Sequence, residues 1–492
     1  MLAARPPQKP SRLFTEVYGL NLLQKGSSPK TQMLQSEWEE LFRLAHDEQS
    51  QQKRIEQRRN ALSGMFRQTL ESPSEEYRAL FALHTAYAIV LKLIAYRVVC
   101  DIRFGSALKD YASQLKAAPS VLRTFCGELE DGEVFRPLGI LNLLEGDFFS
   151  WYCDKAQWTP SLAECVHTLL ATLARYEQAA GVFVRSGAVD LFRELYEATV
   201  PQIVRASFGE FYTPSWLATH VLESCQLRGS WRALDPCSGS GTFVVTAIER
   251  IRKENPEKQP GVLLGEILSR VVAIDLNPLA VLTTRVNYFI HIADLIPKGI
   301  RSLIIPVYLG DPSYIPEEVE VDRTRCLRYQ LTTLKEPIQV TMPLSLVRDT
   351  PKFVEAMRDF ELSIRLGDPA TALSLLLNRI DSADRKESIT RLLGELTDHL
   401  IRLESRGWNG IWARILTNFL TTACLGRFDA VIGNPPWIDW KNLPAGYRKK
   451  IKSLAIERGL FSGAGRTGGI NLNICALIAY YSGPRILDQA IS

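Results

Sequence analysis

The residues best suited to chemistry lie in the stretch FDAVIGNPPWIDW, residues 428–440. The apolar run 428–432 predicts a buried strand, and the prolines that follow it fix the backbone and remove N–H donors. Asn434 Oδ1 and the Pro435 carbonyl can each accept one hydrogen of an amino group on a planar ring, and Trp437 can stack on the face of that ring. A proline turn beside a core tryptophan is the alternative, and this stretch alone leaves both open.

A second candidate group surrounds the turn in WRALDPCSGSGT, residues 231–242. A short strand ends at Asp235, and Gly239 and Gly241 precede a predicted helix over residues 243–253. Strand, Gly-x-Gly turn and helix make the geometry in which glycines let a ligand approach the backbone. The full GxGxxG phosphate fingerprint is absent, and a carboxylate repels phosphate. The turn therefore favours a ligand with a cationic part.

Two further predicted strands also lead into carboxylates. VVAID ends in Asp275, which can accept from both hydroxyls of a ribose. LIIPVYL, residues 303–309, precedes Asp311, which can accept from the exocyclic amine of a purine. Each acid alone could equally cap a helix. Together with Asn434 they place a polar group after each of four strands, where open parallel sheets bind ligands.

Helices are predicted to dominate the first 205 residues. Residues 1–70 predict an N-terminal arm followed by charged helices, and residues 71–205 predict a helical domain with apolar residues at helical spacing. The most apolar run, residues 87–99, is short for a membrane span and contains Lys92 and Arg97, so we expect a buried helix. No Glu-x-Lys group occurs before residue 210, which argues against a metal-dependent nuclease.

Composition excludes several other classes of protein. The nine cysteines form no CxxC pair and the six histidines never fall at metal-ligand spacing, which argues against a zinc site or a disulfide framework and favours a reducing cytoplasm. The N-terminus lacks an apolar signal core. The net charge of +4 does not by itself indicate a class of partner. Evidence for nucleic-acid binding must therefore come from local clusters of basic residues.

Residues 206–492 predict an α/β domain with a helical insertion at about residues 315–425. Within the insertion, residues 389–403 carry leucines at the spacing of an amphipathic helix, and residues 353–377 predict one or two more helices. Residues 441–466 contain seven basic residues against one acid, which suggests contact with phosphates; a solvated loop is the alternative.

Three motifs, GEFYTP (209–214), DPCSGSGTF (235–243) and GNPPW (433–437), together resemble the adenine-specific DNA methyltransferases of restriction-modification and phage-defence systems. The resemblance covers roughly residues 180–480. It implies an N-terminal all-helical domain followed by a Rossmann-like S-adenosylmethionine-dependent methyltransferase sheet. It also implies methyl transfer from S-adenosylmethionine to N6 of adenine in double-stranded DNA, with no metal.

The resemblance also implies roles for individual residues. The methionine end of S-adenosylmethionine is assigned to Phe211, Tyr212 and Thr213. Its amino-acid and sulfonium region is assigned to Asp235, Pro236, Gly239 and Gly241, its ribose to Asp275 and its adenine to Asp311. The catalytic loop is assigned to Asn434, Pro435, Pro436 and Trp437. One departure is minor: Cys237-Ser238 stands where the family more often has a small residue followed by cysteine.

A larger departure lies at the end of the chain. About four strands can be placed, fewer than the family's sheet contains, and no target-recognition domain follows. We therefore expect a C-terminally truncated methyltransferase, with a second chain as a possible carrier of the remaining strands and the recognition domain. The alternatives are a non-catalytic fragment and the cofactor-binding half of a split enzyme. A protein-glutamine or RNA methyltransferase is a further reading, which GEFYTP and the helical region disfavour.

Overall fold

The structure is a computed structural model that describes most of the chain. It covers residues 28–45, 52–102, 111–146, 148–174, 191–207, 212–408, 410–443, 445–457, 459–460 and 473–479, together with Val17 and Gly19. Within this part, helices surround a parallel sheet, so the predicted mixed α/β class is confirmed.

Eight helices make up the described N-terminal region. They are α1 Pro29–Ala45, α2 Gln52–Phe66, α3 Pro73–Ile102, α4 Tyr111–Gln114, α5 Pro119–Glu130, α6 Pro160–Ala174, α7 Leu191–Thr199 and α8 Gln202–Ser207. Short 3-10 turns lie at Arg136–Leu138 and Ser150–Cys153.

Helix α3 is the centre of this region. Within the described ranges it is the one helix long and apolar enough to cross a membrane, but 89% of its apolar window is buried inside the protein. Its Lys92 is buried too and forms an ion pair with Glu130 of α5. The burial matches the predicted core helix, because a buried charge needs a partner of opposite sign.

The central sheet is built from short strands connected by helices. In chain order these elements are α9 Ser215–Ser224, β1 Ala233–Asp235, α10 Thr242–Glu254, α11 Pro260–Arg270, β2 Val271–Asp275, α12 Pro278–Ile292 and β3 Val307–Leu309, with a 3-10 turn at Ala293–Leu295. Helix α12 begins where Asn277 Oδ1 accepts a hydrogen bond from the Leu279 amide, next to a proline at the first helical position.

The last strand of the sheet, β7, is Ala430–Val431, and it pairs with β1 on the side away from β2. The strand order is β3-β2-β1-β7 and all three pairings are parallel. The chain therefore winds outward in one direction through β2 and β3 and then returns to the other side of β1. This reversal makes the carboxyl ends of β1 and β7 a topological switch point, where open α/β sheets bind ligands.

The insertion between β3 and β7 is not purely helical, which corrects our expectation. It begins with an antiparallel sheet of β4 Glu317–Val321, β5 Thr324–Leu331 and β6 Ile338–Pro343. Helices α13 Leu344–Val347, α14 Thr350–Arg365, α15 Pro369–Arg379, α16 Glu387–Ser405 and α17 Trp412–Thr422 follow, with a 3-10 turn at Ser382–Asp384. Strands β5 and β6 carry buried residues separated by single exposed or half-buried ones, whereas no residue of β4 is buried. The helical spacing of the residues that follow them gives no sign of these strands.

Most of these elements share one hydrophobic core. Helix α3 packs against α12, and α17 packs against β3, so the N-terminal helices and the sheet are buried against each other. A separate, smaller apolar cluster lies beyond β7. It is formed by residues on either side of the 3-10 turn Trp440–Asn442, in helix α18 Ala445–Glu457 and in the helical residues 474–479.

Candidate active site

Asp235 lies at the end of β1 and is 3% exposed. Its Oδ1 accepts a hydrogen bond from the Cys237 amide at 3.1 Å, whereas its buried Oδ2 has no partner within the described residues. Burial raises the pKa of Asp235 to about 8, and the negative charge of Asp275 adds to this rise. The site thus contains a buried carboxyl with an open acceptor, which a cationic group would stabilise in its ionised form.

The glycine turn after Asp235 is held against helix α12. Gly239 and Gly241 have φ angles of 56° and 90°, which favour glycine, and a Cβ on Gly241 would lie 3.1 Å from Thr284 Cγ2. Thr284 Oγ1 donates to the Gly239 carbonyl at 3.0 Å, and Asn287 Nδ2 donates to the Ser240 carbonyl at 3.1 Å. Neither side chain was predicted from the sequence; their signal is a pair of polar residues three positions apart, on the same side of a mostly apolar helix.

Asp275, at the end of β2, connects the glycine turn to helix α12. Its Oδ2 accepts from the Gly239 amide at 2.9 Å and its Oδ1 accepts from the Asn277 amide at 2.8 Å. Each carboxylate oxygen can accept more than one hydrogen bond. Asp275 is therefore fixed in place and still able to accept from a ligand.

Asp311 follows β3 and is 6% exposed. Its Oδ1 faces the Ser313 amide at 2.9 Å, the Ser313 hydroxyl at 2.6 Å and the Tyr447 hydroxyl at 3.0 Å. The sequence analysis missed Ser313 and Tyr447. Tyr447 lies 136 residues from Asp311, so no local pattern connects the two.

The three carboxylates converge on Cys237. Burial, together with the negative charges of Asp275, Asp235 and Asp311, raises the pKa of the Cys237 thiol well above its ordinary value. The structure thus brings together the predicted acids of three different strands. It also explains why this cysteine stays a neutral thiol.

The loop after β7 touches the loop after β1. A Cβ on Gly433 would lie 2.7 Å from Asp235 Oδ1 and 3.3 Å from Pro236 Cδ, so a side chain at this position requires one loop to move. The predicted Asn434, Pro435 and Pro436 follow directly and are all half-buried. The predicted catalytic loop and the predicted cofactor turn are therefore in contact.

Trp437 is 66% exposed, so the alternative of a core tryptophan is wrong for this residue. Its indole Nε1 donates a hydrogen bond to Asn434 Oδ1 at 3.2 Å. The bond joins the two side chains that we expected to contact a planar ring.

The GEFYTP segment is described from Tyr212 onward, and the predicted Phe211 lies outside the described residues. A Cβ on Gly239 would lie 4.0 Å from the Tyr212 ring, and this ring packs edge-on against Tyr196 with centroids 5.6 Å apart. Arg193 Nη1 donates to the buried Thr213 carbonyl at 3.3 Å. Helix α7 thus holds Tyr212 and Thr213 beside the glycine turn.

Comparison with known proteins gives two matches. The family model for N-6 DNA methylase matches residues 187–301, which include Tyr212, Asp235 and Asp275. The Type I restriction enzyme MjaIX methylase subunit of Methanocaldococcus jannaschii is 22% identical over 270 residues, covering 47% of this chain and 46% of the relative. This chain thus covers about half the length of that relative. The two matches confirm the predicted resemblance to adenine-specific DNA methyltransferases of the restriction-modification type.

Proposed function

We propose that this chain transfers a methyl group from S-adenosylmethionine to N6 of adenine in DNA, as part of a restriction-modification or phage-defence system. The observation that carries the proposal is the contact between the loop that begins at Gly433 and the buried carboxyl of Asp235. It brings a possible base-binding loop and a possible cofactor turn together at the switch point of a parallel sheet. The family match to residues 187–301 supports the cofactor side of this arrangement.

The residues after β1, β2 and β3 suit S-adenosylmethionine. Asp235 Oδ2 is a buried acceptor without a partner in the described part of the chain, and the ammonium group of the cofactor would supply its donor. Asp275 would accept from the ribose hydroxyls and Asp311 from the amino group of the cofactor's adenine. Gly239, Gly241 and Pro236 would let the amino-acid and sulfonium region approach the backbone. Phe211, Tyr212 and Thr213 would contact its methionine end.

The loop after β7 would bind the target base. When bound, S-adenosylmethionine supplies an electrophilic methyl group. Asn434 Oδ1 and the Pro435 carbonyl would accept the two hydrogens of the adenine N6 amino group, which moves lone-pair density onto that nitrogen. The exposed Trp437 is available to stack on the base, and Pro436 limits the motion of the loop. A base in duplex DNA must be flipped out of the stack to reach this position. Positioning then supplies the rate, without a metal.

We assign the sheet to a Rossmann-like methyltransferase domain, residues 206–492, preceded by an N-terminal arm and charged helices in residues 1–70 and by a helical domain in residues 71–205. Lys441, Lys449 and Lys452 lie exposed beyond the Trp437 loop, and they suit contact with DNA phosphates. The relative is named as a methylase subunit. We infer that this chain likewise works with a second chain that reads the DNA sequence, in the cytoplasm.

The test is methyl transfer from labelled S-adenosylmethionine to mixed-sequence duplex DNA. We expect label on adenine with the wild type, loss of transfer by at least about a hundredfold with Asn434→Ala, and unchanged binding of S-adenosylhomocysteine by this variant. Asn378→Ala, on the exposed side of α15, is the matched control.

A normal rate with Asn434→Ala would refute the role of the loop. Label on protein or RNA in place of DNA would favour the other acceptor classes. Cofactor binding without any transfer, even with a partner chain present, would favour a non-catalytic fragment.

A further inference from the structure

Helix α18 covers the cofactor side of the candidate site with a single face. Tyr447, Ile451 and Ala455, spaced four residues apart, are 6%, 0% and 0% exposed. They join Ile438 and Leu477 in the apolar cluster that is separate from the main core. The half-buried Cys237, in the turn after β1, packs against this cluster. The helix therefore reaches the ends of the strands through its own small core.

Tyr447 extends this contact to Asp311 by hydrogen bonding. The Tyr447 hydroxyl lies 3.0 Å from Asp311 Oδ1 and 2.5 Å from the Ser313 hydroxyl, which itself lies 2.6 Å from Asp311 Oδ1. The two hydroxyls carry one proton each, so two of these three contacts are hydrogen bonds at any moment. Either arrangement ties the Tyr447 hydroxyl to the carboxylate, directly or through Ser313.

The contacts with the Asp311 carboxylate all fall on one of its oxygens. Within the described part of the chain, Oδ1 also accepts from the Ser313 amide at 2.9 Å, and no hydrogen bond to Oδ2 is present. Several donors on one oxygen fix the rotation of the carboxylate and leave the other oxygen to accept from a ligand. Burial and the charge of Asp311 keep the pKa of Tyr447 well above its ordinary value, so its hydroxyl stays protonated as a donor.

We propose that Tyr447 is a positioning residue of the cofactor site. Together with Ser313 it holds Asp311 with Oδ2 directed at the 6-amino group of the adenine in the cofactor. The proposal rests on the proposed function and adds to it a residue of α18. Because α18 is also held by Ile451 and Ala455, removal of one hydroxyl leaves its packing in place.

The test measures recognition of the 6-amino group by binding, without turnover. Isothermal titration of the full chain compares S-adenosylhomocysteine with S-inosylhomocysteine, which carries an oxygen in place of that amino group. We expect the wild type to prefer the adenine form by about tenfold or more, and Asp311→Ala to lose this preference. Tyr447→Phe should lose most of the preference while changing the affinity for S-inosylhomocysteine by less than about threefold. Ser313→Ala should also reduce the preference for S-adenosylhomocysteine over S-inosylhomocysteine.

Tyr87→Phe is the matched control, because its buried hydroxyl donates to the Phe192 carbonyl in the N-terminal helices. It should keep the wild-type preference. The proposal is overturned if Tyr447→Phe keeps the full preference, or if it lowers the affinity for both ligands by the same factor. If Tyr447→Phe does not fold, a full preference in Ser313→Ala overturns it. A wild type that binds neither ligand refutes the proposed function as well.

Discussion

The Asp235 carboxyl is buried against Gly433 and keeps one oxygen, Oδ2, without a partner in the described part of the chain. Its pKa of about 8 lies above the value near 3.9 of an unfolded aspartate. The folded protein therefore holds a proton that the unfolded chain releases between about pH 4 and pH 8. The contribution of this proton to the free energy of unfolding is fully present below about pH 4 and is lost as the pH rises to about 8.

We expect Asp235→Asn to stabilise the ligand-free chain increasingly from pH 5 to pH 8, because asparagine has no proton to lose. The gain should reach roughly a few kcal/mol at pH 8 and be small at pH 4.5. Urea unfolding at several pH values measures it. Asp398→Asn, at an exposed position on α16, is the control. A difference for Asp235→Asn that does not grow with pH would contradict the buried, protonated carboxyl.

At the residue scale, Asp235 is an example of a site residue that the sequence predicts, and Tyr447 of one that it does not predict. Asp235, Asp275 and Asp311 each follow a short apolar run, and parallel strands bring the ends of such runs to one edge. Their convergence on Cys237 was therefore predictable. Tyr447 lies within helix α18 and not at the end of a strand, and its bond to Asp311 spans 136 residues. Only the folded chain relates the two.

At the scale of elements, helix α18 has two chemically different sides. Tyr447, Ile451 and Ala455 face the apolar cluster, whereas Lys449 and Lys452 are exposed. A basic segment was predicted here because basic residues outnumber acids. The structure adds that Lys449 and Lys452 lie on the side of the helix away from the cofactor site. One side of the helix therefore contacts the strand ends while the other is open to a polyanion.

We expect replacement of both Lys449 and Lys452 by alanine to weaken DNA binding without changing the affinity for S-adenosylhomocysteine. Each lost phosphate contact should reduce the magnitude of the slope of log K against log salt by about one unit. It should weaken binding to all DNA sequences by a similar factor. Fluorescence anisotropy with duplex DNA at several salt concentrations measures this. Lys298→Ala is the exposed control. An unchanged salt slope in the double variant would show that these two lysines of α18 do not contact DNA.

The three-stranded sheet in the insertion shows where element prediction failed. Leucines at helical spacing dominate the insertion, and the helices they predict, α14 to α16, are present. Strand β4, EEVEV, contains three glutamates, and all five of its residues are exposed or half-buried, so its apolar content is too low to indicate a strand. Its pairing with β5 supplies the missing stability, and that pairing is a tertiary property.

At the scale of the whole molecule, a segment of the N-terminal region outside its helices joins that region to the sheet. Asn142 donates from Nδ2 to the Ile305 carbonyl at 2.8 Å and accepts from the Ile305 amide at 2.7 Å. Ile140 forms a parallel bridge with Leu303 just before β3. The sequence indicated helical and α/β regions by their different periodicities, but the polar contacts that join them have no periodic signal.

Arg285 of α12 is the side chain that joins these regions most directly. It is 6% exposed and donates to the Val307 carbonyl in β3 at 2.8 Å, to Glu145 Oε2 at 2.5 Å and to Asn418 Oδ1 in α17 at 2.8 Å. Glu145 belongs to the N-terminal region and is largely buried. Removal of the arginine would leave that carboxylate without its cation in a poorly solvated position.

We therefore expect Arg285→Ala to lower the free energy of unfolding by about 3–5 kcal/mol. Arg252→Ala is the matched control, because the side chains of its ion pair with Asp294 are 29% and 36% exposed, far more than those of Arg285 and Glu145, and it should cost less than about 1 kcal/mol. Urea unfolding followed by far-ultraviolet circular dichroism and tryptophan fluorescence measures both. Because Arg285 contacts both regions, the two signals should shift together in Arg285→Ala. A cost no larger than that of Arg252→Ala, or a shift of one signal alone, would mean that the N-terminal helices and the sheet are stabilised separately.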